Sequence, residues 1–125
     1  DILFLNKDEL IQLTKSNNII NGIKNIQNIN NNIKIICTNS KNNVIYAHNK
    51  RILKIKPPKI KIKNENGAGD ALAGMMLFLL SKKYTENNIL KYSVACGSYY
   101  ASGKKISIQK DLLKIKNLSK KVIIT

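Results

Sequence analysis

The sequence of 125 residues is poor in the side chains that bind transition metals or form disulfides. His48 is its only histidine, and its two cysteines, Cys37 and Cys96, lie far apart without a Cys-x-x-Cys spacing. A zinc site needs clustered ligands, and a disulfide scaffold needs a dense set of paired cysteines. We therefore exclude both classes and expect two reduced, buried thiols in a cytosolic or organellar protein, with the cytoplasm favoured.

Long hydrophobic runs are also missing, and no secretory signal is visible. The longest apolar segment, Ala71–Leu80, covers 10 residues, whereas a helix that crosses a bilayer needs about 20. We interpret this segment as a core helix and predict no membrane partner.

Acidic residues are few, since 7 Asp and Glu stand against 22 Lys and Arg, for a formal net charge of +15. Such a charge is typical of proteins that bind nucleic acids. However, Arg51 is the only arginine, tryptophan is absent, and the lysines are interspersed with Asn and Ile, as A/T-rich codons would produce. Nucleic-acid surfaces more often cluster Arg with aromatic residues. We interpret the lysines as a solvated surface and keep a basic nucleic-acid-binding module as an alternative function.

The hydrophobic pattern predicts an α/β fold with helices on both faces of a sheet. Strands are predicted at Ile2–Leu5, Ile33–Thr38, Val44–Ala47, Arg51–Ile55 and, as an edge strand, Val122–Ile124. Helices are predicted from Asp8 to Leu13, over 21–29, from after Asp70 to about Lys82, from Glu86 onward, and in the tail around Leu112. Pro57-Pro58 interrupts ladder pairing, and Ile60–Lys63 alternates as an extended stretch would. Because the first strand is hydrophobic from residue 2, we expect the chain to be a fragment.

The stretch with the clearest chemistry is Asn64–Asp70, which precedes the apolar helix. Gly67, Ala68 and Gly69 predict a tight turn that presents backbone N–H groups at a helix N-terminus, where anions such as phosphate bind. The carboxylate of Asp70 does not suit a pure phosphate site and therefore needs a separate role. The alternative is an ordinary glycine-rich turn in which Asp70 caps the helix.

These residues resemble a known signature. Gly67-Ala68-Gly69-Asp70-Ala71 followed by Ala73-Gly74 is similar to the C-terminal motif of ribokinase-like (PfkB-type) sugar and nucleoside kinases; Asn6 to Glu9 resembles the family's Asn-x-x-Glu, and Thr38 closes a strand where the family has a Thr before its nucleotide loop. The resemblance implies a ribokinase-like three-layer α/β/α sandwich. It also implies that residues 1–125 form the C-terminal part of a PfkB-type kinase domain, that the N-terminal substrate-binding part is absent, and that the fragment alone is inactive.

The resemblance implies ATP-dependent phosphoryl transfer to a hydroxyl of a sugar or nucleoside. Asp70 would be the general base, and the amides of Gly67, Ala68 and Gly69 would form the anion hole for the transferred group. Asn6 and Glu9 would organise Mg²⁺ and the phosphates through water, with Glu9 as the metal-side carboxylate. Thr38 would contact the nucleotide, and Val94 would contact adenine.

Each of these assignments has a purely structural alternative. Asn6 and Glu9 together could be a helix N-cap with a first-turn acid, and this role can coexist with one at the phosphates. Thr38 could be a strand-end hydroxyl without a ligand, and Val94 a core residue.

The sequence departs from the family pattern at two places. In the family, Asp-Thr-Thr or Asp-Thr-Asn usually precedes the Gly-Ala-Gly-Asp motif, and Asn64 and Glu65 replace the first two of these residues here. The Asp belongs to a monovalent-cation site in many members. The resemblance therefore leaves open whether this chain uses a monovalent cation. Ser40 and Asn43 occupy positions where the nucleotide loop has glycines, and Ser adopts left-handed conformations poorly. A catalytically weak relative, retained for nucleotide or sugar binding, is therefore a further alternative.

The resemblance says less about the substrate and the assembly. The tail from Ser102 to Ser107, with Leu112-Leu113 after it, is slightly more similar to pseudouridine kinases than to ribokinases. The expected partner is a small sugar or nucleoside. The oligomeric state is open, and a homodimer is one of the alternatives.

Overall fold

The computed structural model describes residues 1–125. The elements in chain order are β1 (Ile2–Asn6), α1 (Lys7–Thr14), α2 (Ile19–Ile29), β2 (Lys34–Thr38), β3 (Val44–His48), β4 (Arg51–Lys56), α3 (Ala68–Leu80), α4 (Glu86–Ala101), α5 (Ile108–Ser119) and β5 (Ile123–Ile124). The strands form a mixed sheet in the order β1-β2-β3-β4-β5. The predicted α/β class is therefore confirmed. The chain comprises two compact units, residues 1–54 with Thr125, and Ile55–Ile124.

The first unit is built on a parallel pair of buried strands. β1 and β2 pair in register from Ile2 with Lys34 to Asn6 with Thr38, and β2 pairs antiparallel with β3. A parallel pair needs a crossover connection, which α1 and α2 supply. The buried core of this unit consists of Leu5, Leu10, Ile23, Ile35, Cys37, Ile45 and Ala47. These residues lie on strands and helices that the hydrophobic pattern predicted.

The second unit is dominated by helices that pack closely. Gly97 lets α4 approach α3, since a Cβ on Gly97 would lie 3.0 Å from the carbonyl oxygen of Ala68. The Cys96 thiol donates to the carbonyl oxygen of Ala71 at 3.6 Å. Burial raises the pKa of Cys96 to about 11, so the thiol stays protonated at neutral pH. Both contacts hold the first turn of α3 against α4.

A small polar cluster attaches α5 to the preceding helices. Lys116 Nζ donates to the Tyr84 hydroxyl at 3.0 Å and lies 4.9 Å from the centre of that ring. Tyr84 and Tyr92 meet edge to face, with ring centres 5.7 Å apart.

At the far end of the tail, β5 pairs antiparallel with the end of β4, and Ile124 lies opposite Ile55. The predicted edge strand is therefore confirmed.

The structure refines the sequence prediction at two places. The stretch Ile60–Lys63 lies outside the sheet, because the N–H groups of Lys63 and Asn64 donate to the carbonyl oxygen of Ala101, at 2.8 and 3.0 Å, and not to a neighbouring strand. The helix predicted to start after Asp70 begins earlier, at Ala68. Asp70 therefore lies within the first helical turn.

Asp111 is the clearest electrostatic support of the second unit. Its carboxylate accepts from the Ser107 N–H at 2.8 Å and from the Tyr99 hydroxyl at 3.2 Å, and Lys114 Nζ lies 3.9 Å away. The Ser107 N–H, with smaller help from the Tyr99 hydroxyl and nearby lysines, holds the pKa of Asp111 below its usual range.

We expect this carboxylate to make stability depend on acid pH. A lowered folded-state pKa stabilises the fold in full above the unfolded value, about 3.9, and the contribution is lost as the pH falls through the lower folded value. Urea unfolding of the wild type between pH 2.5 and 6 should therefore show a decline in unfolding free energy below about pH 4 that is smaller in Asp111→Asn. An identical decline in both proteins would contradict this role.

None of the helices has both the length and the apolar character that a membrane span requires.

Candidate active site

The turn that ends at Gly67 forms the N-terminus of α3. Gly67 is the N-cap, with φ of 82°, and no side chain caps this helix. The first intrahelical bond runs from the Ala71 N–H to the Gly67 carbonyl oxygen at 2.9 Å. The amides before Ala71 therefore have no intrahelical acceptor, which is the arrangement that binds anions at helix N-termini.

One amide of the predicted anion hole is already engaged. The N–H of Ala68 donates to the carbonyl oxygen of Glu65 at 3.1 Å. The amides of Gly67 and Gly69 lack such a turn contact, and Asp70 is the third helical residue, so its own N–H is also an orphan donor. Sequence reasoning missed the Asp70 amide because it placed the helix start after Asp70.

Tyr100 lies beside the turn and explains why Gly67 has no side chain. A Cβ at Gly67 would lie 2.9 Å from Tyr100 Cε1 and 3.3 Å from its hydroxyl oxygen. The ring is 39% exposed, so it forms a partly solvated wall next to the glycine. No motif in the sequence pointed to Tyr100, and only its position on α4 brings it to the turn.

Asp70 itself is exposed in the first turn of α3. The partial positive charge of the helix N-terminus stabilises a carboxylate there. An exposed carboxylate next to unpaired amides can accept a proton from a hydroxyl while the amides bind an anionic group.

Val94 occupies a different environment from these residues. It is only 3% exposed on α4, so in this structure it is a core residue. Its contact with adenine stays a prediction.

In the first unit, the structure brings Asn6, Glu9 and Thr38 together. Asn6 and Thr38 are register partners at the same end of β1 and β2. Asn6 caps α1, since its Oδ1 accepts from the Glu9 N–H at 2.8 Å while Glu9 Oε2 accepts from the Asn6 N–H at 2.9 Å. This reciprocal capping box is the structural alternative considered for the pair. Both side chains remain exposed, so capping leaves them open to solvent.

The Cys37 thiol, near the end of β2, is influenced by its burial and by the charge of Glu9. Burial raises the pKa of the Cys37 thiol to about 11, and the negative charge of Glu9 adds to this shift. The Cys37 thiol donates to the Thr38 carbonyl oxygen at 3.7 Å. Lys7 acts in the opposite direction, so burial is the main cause of the shift.

The loop after Thr38 takes the backbone conformation that a glycine would favour. Ser40 has φ of 53°, in the left-handed region, and the Asn42 N–H donates to the Asn39 carbonyl oxygen at 2.9 Å. Serine adopts this region less readily than glycine. The loop nevertheless bends there, at a cost of about 1–2 kcal/mol relative to glycine.

The residues present allow magnesium only a limited set of protein ligands. No group of three or more His, Cys, Asp or Glu side chains is placed to hold a metal ion. Magnesium commonly binds through one or two carboxylates, retained waters and substrate phosphates. Glu9, whose Oε2 already accepts from Asn6, fits this mode with its other oxygen.

Comparison with known proteins agrees with these features. The model of the pfkB family of carbohydrate kinases matches residues 1–110. No curated protein sequence matches the chain significantly.

Several solved structures described as kinases share the fold of the chain. A Staphylococcus aureus protein assigned as a phosphofructokinase superposes with a TM-score of 0.75 at 22% identity, over 98% of this chain and 41% of its own. A mutant of Escherichia coli phosphofructokinase-2 gives 0.79 at 18% identity, over 96% and 41%. An Escherichia coli protein assigned as ribokinase II, in complex with ATP and Mg²⁺, gives 0.78 at 14% identity, over 94% and 39%. The chain thus spans about two fifths of the length of these structures, and it belongs to the pfkB family of carbohydrate kinases.

Proposed function

We propose that the chain supplies the phosphoryl-transfer part of an ATP-dependent sugar kinase. The observation that carries the proposal is the N-terminus of α3, where a glycine turn with φ of 82° leaves amides without intrahelical acceptors and the exposed Asp70 stands in the same turn. Membership of the pfkB family supports a sugar hydroxyl as the acceptor. The protein assigned as ribokinase II that was crystallised with ATP and Mg²⁺ supports ATP as the donor.

In the proposed reaction, Asp70 accepts the proton of the substrate hydroxyl. The hydroxyl oxygen forms a bond to the γ-phosphorus of ATP, and the bond from that phosphorus to the bridging oxygen breaks, which releases ADP. Phosphoryl transfer proceeds mainly through positioning and charge stabilisation. The amides of Gly67, Gly69 and Asp70 would bind the charge on the transferred group. Ala68 could join them only if its amide exchanged the Glu65 carbonyl for the phosphoryl oxygen.

Asn6 and Glu9 would hold Mg²⁺ through water, and Thr38 would contact the nucleotide. Bound Mg²⁺ neutralises charge on the phosphates. The capping box fixes the direction of the Glu9 side chain, since one carboxylate oxygen is tied to the Asn6 amide. The other oxygen is thereby held in one orientation, so binding of Mg²⁺ would cost little additional side-chain entropy.

A Glu9→Gln variant separates the capping role from the metal role. Glutamine can still accept from the Asn6 N–H, so we expect the unfolding free energy to change by less than about 0.5 kcal/mol. The Mg²⁺ concentration for half-maximal activity should rise by about tenfold, because the charge is lost. Steady-state assays with varied Mg²⁺ measure this. Asp8→Asn, an exposed acid in the same helical turn, is the matched control, and an equal effect in both variants would contradict the assignment.

We also propose that the enzyme does not require a monovalent cation. The Asn64 side chain accepts from the Asn66 N–H at 2.9 Å. The Asn64 N–H donates to the Ala101 carbonyl oxygen at 3.0 Å, and this oxygen also accepts from the Lys63 N–H, so it is already engaged twice. Neutral asparagine replaces the acid that the resemblance associates with cation binding. Activity in potassium chloride and in tetramethylammonium chloride, at equal ionic strength, should agree within about twofold; strong activation by potassium would contradict this.

The substrate can be found by a screen of the full-length protein with Mg-ATP. Ribose, fructose, fructose 6-phosphate, adenosine and pseudouridine cover the sugar and nucleoside classes, and the lean toward pseudouridine stays a prediction. Sugar-dependent release of ADP that is lost in Asp70→Asn supports the proposal. ATP binding without turnover on any acceptor would favour the alternative, a catalytically weak relative. The same preparation, studied by light scattering, tests whether the protein is a homodimer.

A further inference from the structure

The second unit contains a basic groove that the proposed reaction does not use. It has a volume of about 610 Å³ and lies among the stretch before the glycine turn, the end of α4, and α5. Lysines dominate its lining: Lys61, Lys63, Lys104, Lys114 and Lys121. We call this cavity the lysine groove.

The lysine groove carries excess positive charge. Its lining contains no Asp or Glu. The carboxylate beside it, Asp111, lies 3.9 Å from Lys114 and is also engaged by Ser107 and Tyr99. Asp111 therefore offsets part of the charge of one lysine, and most of the positive charge remains available to an anion.

The backbone around the groove is held in place by short contacts. The Ser102 hydroxyl donates to the Tyr99 carbonyl oxygen at 2.6 Å, and the Lys63 N–H donates to the Ala101 carbonyl oxygen at 2.8 Å. Gly103 has φ of 92°, and a Cβ there would lie 2.8 Å from Lys63 Cδ. These contacts tie the backbone that carries Lys63 and Lys104 to the end of α4.

The groove also has an apolar part. Ile60, Tyr99 and Leu118 line it together with the lysines. The Tyr99 hydroxyl is bound by Asp111, which fixes the ring. A ligand that fits both parts combines several negative charges with a flat apolar group.

The lysine groove is separate from the glycine turn. Tyr100 lies against Gly67, whereas Tyr99 lines the groove. Successive residues of an α-helix point about 100° apart, so the two sites use different faces of α4.

We propose that the lysine groove binds a nucleotide-like polyphosphate: a chain of phosphates attached to a flat ring. Lysines act as point charges for phosphate, whereas carboxylates favour the fork of arginine, which is absent from the lining. The volume lies within the range of small-molecule sites, roughly 300–1,000 Å³. Nucleic-acid surfaces more often combine arginine with aromatic residues, and the single arginine of the chain lies outside the lining. A small ligand is therefore favoured over a nucleic acid.

The test is calorimetric titration of the full-length protein with ATP in EDTA, which removes the Mg²⁺ that the proposed active site uses. The groove variant is Lys61→Gln/Lys104→Gln/Lys121→Gln. The matched control, Lys83→Gln/Lys110→Gln/Lys120→Gln, removes the same charge from exposed lysines outside the groove. Inorganic tripolyphosphate and a single-stranded 12-mer DNA are titrated in parallel.

We expect ATP to bind more tightly than tripolyphosphate, and the groove variant to lose at least about tenfold in ATP affinity while the control changes by less than about twofold. The KM for Mg-ATP should not change in the groove variant, which separates this proposal from the proposed function. An equal loss in both variants, or no ATP binding by the wild type, would overturn the proposal. Equal affinity for tripolyphosphate would overturn the ring-bearing ligand, and tighter binding of DNA would overturn the small-molecule ligand.

Discussion

Replacing Asp70 by Asn should lower kcat for sugar phosphorylation by about 100- to 10,000-fold, the range that a positioned general base contributes. Asparagine has nearly the same shape but cannot accept the hydroxyl proton. The side chain is exposed on the first turn of α3, so the substitution should disturb little else. Steady-state kinetics on the full-length protein, with the acceptor found by the screen, measure the effect.

Folding provides the internal check on this result. Loss of a carboxylate near a helix N-terminus should lower the unfolding free energy by no more than about 1 kcal/mol. The control is Asp8→Asn, which removes a first-turn acid from α1 and should leave kcat unchanged. An Asp70→Asn enzyme that retained half of the wild-type kcat would show that another group takes the proton.

The second large effect is expected at Gly67. A Gly67→Ala substitution places a side chain on a residue with φ of 82°, and its Cβ would lie 2.9 Å from Tyr100 Cε1. We expect the unfolding free energy to fall by about 1–3 kcal/mol. We also expect kcat/KM to fall by about 100-fold or more, because the amides beside Gly67 would move. Denaturant unfolding and steady-state kinetics give the two values.

Gly74 is a control for Gly67, because it lies inside the helix that Gly67 caps. A Cβ on Gly74 would meet no atom within 4 Å. Gly74→Ala should therefore raise the unfolding free energy by about 0.5–1 kcal/mol.

The double variant Gly67→Ala/Tyr100→Ala separates two causes. In the Tyr100→Ala background, Gly67→Ala should lower the unfolding free energy by less than it does in the wild type, because the ring is gone. It should still lower it, because the strain of a side chain at φ of 82° remains. A Gly67→Ala protein as stable and active as the wild type would contradict the role of the turn.

The sequence predicted the elements that depend on periodicity. Continuous apolar runs such as Ile35–Cys37 identify buried strands, and the order of strands and helices identifies the α/β class. The pair Asn6 and Glu9 was readable as a cap, because the spacing of three residues is that of a capping box. Its exposed side chains leave the proposed phosphate role open to experiment.

Other features depend on contacts between distant residues, which no local pattern reveals. Ile60–Lys63 alternates like a strand, but its end bonds to the carbonyl oxygen of Ala101 at the end of α4. Tyr100 meets Gly67 only because α3 and α4 pack together. Ser40 takes a left-handed conformation against its own preference, since the surrounding loop determines its backbone.

The two buried thiols have a practical consequence for chemical labelling. With pKa values of about 11, only about one thiol in ten thousand is ionised at pH 7, and the thiolate is the form that maleimides attack. Cys37 and Cys96 therefore contribute little background to labelling with cysteine-directed probes. A single Asn117→Cys substitution would attach a fluorophore in the lining of the lysine groove and keep all five lysines, so its emission would report occupancy without replacement of Cys37 or Cys96.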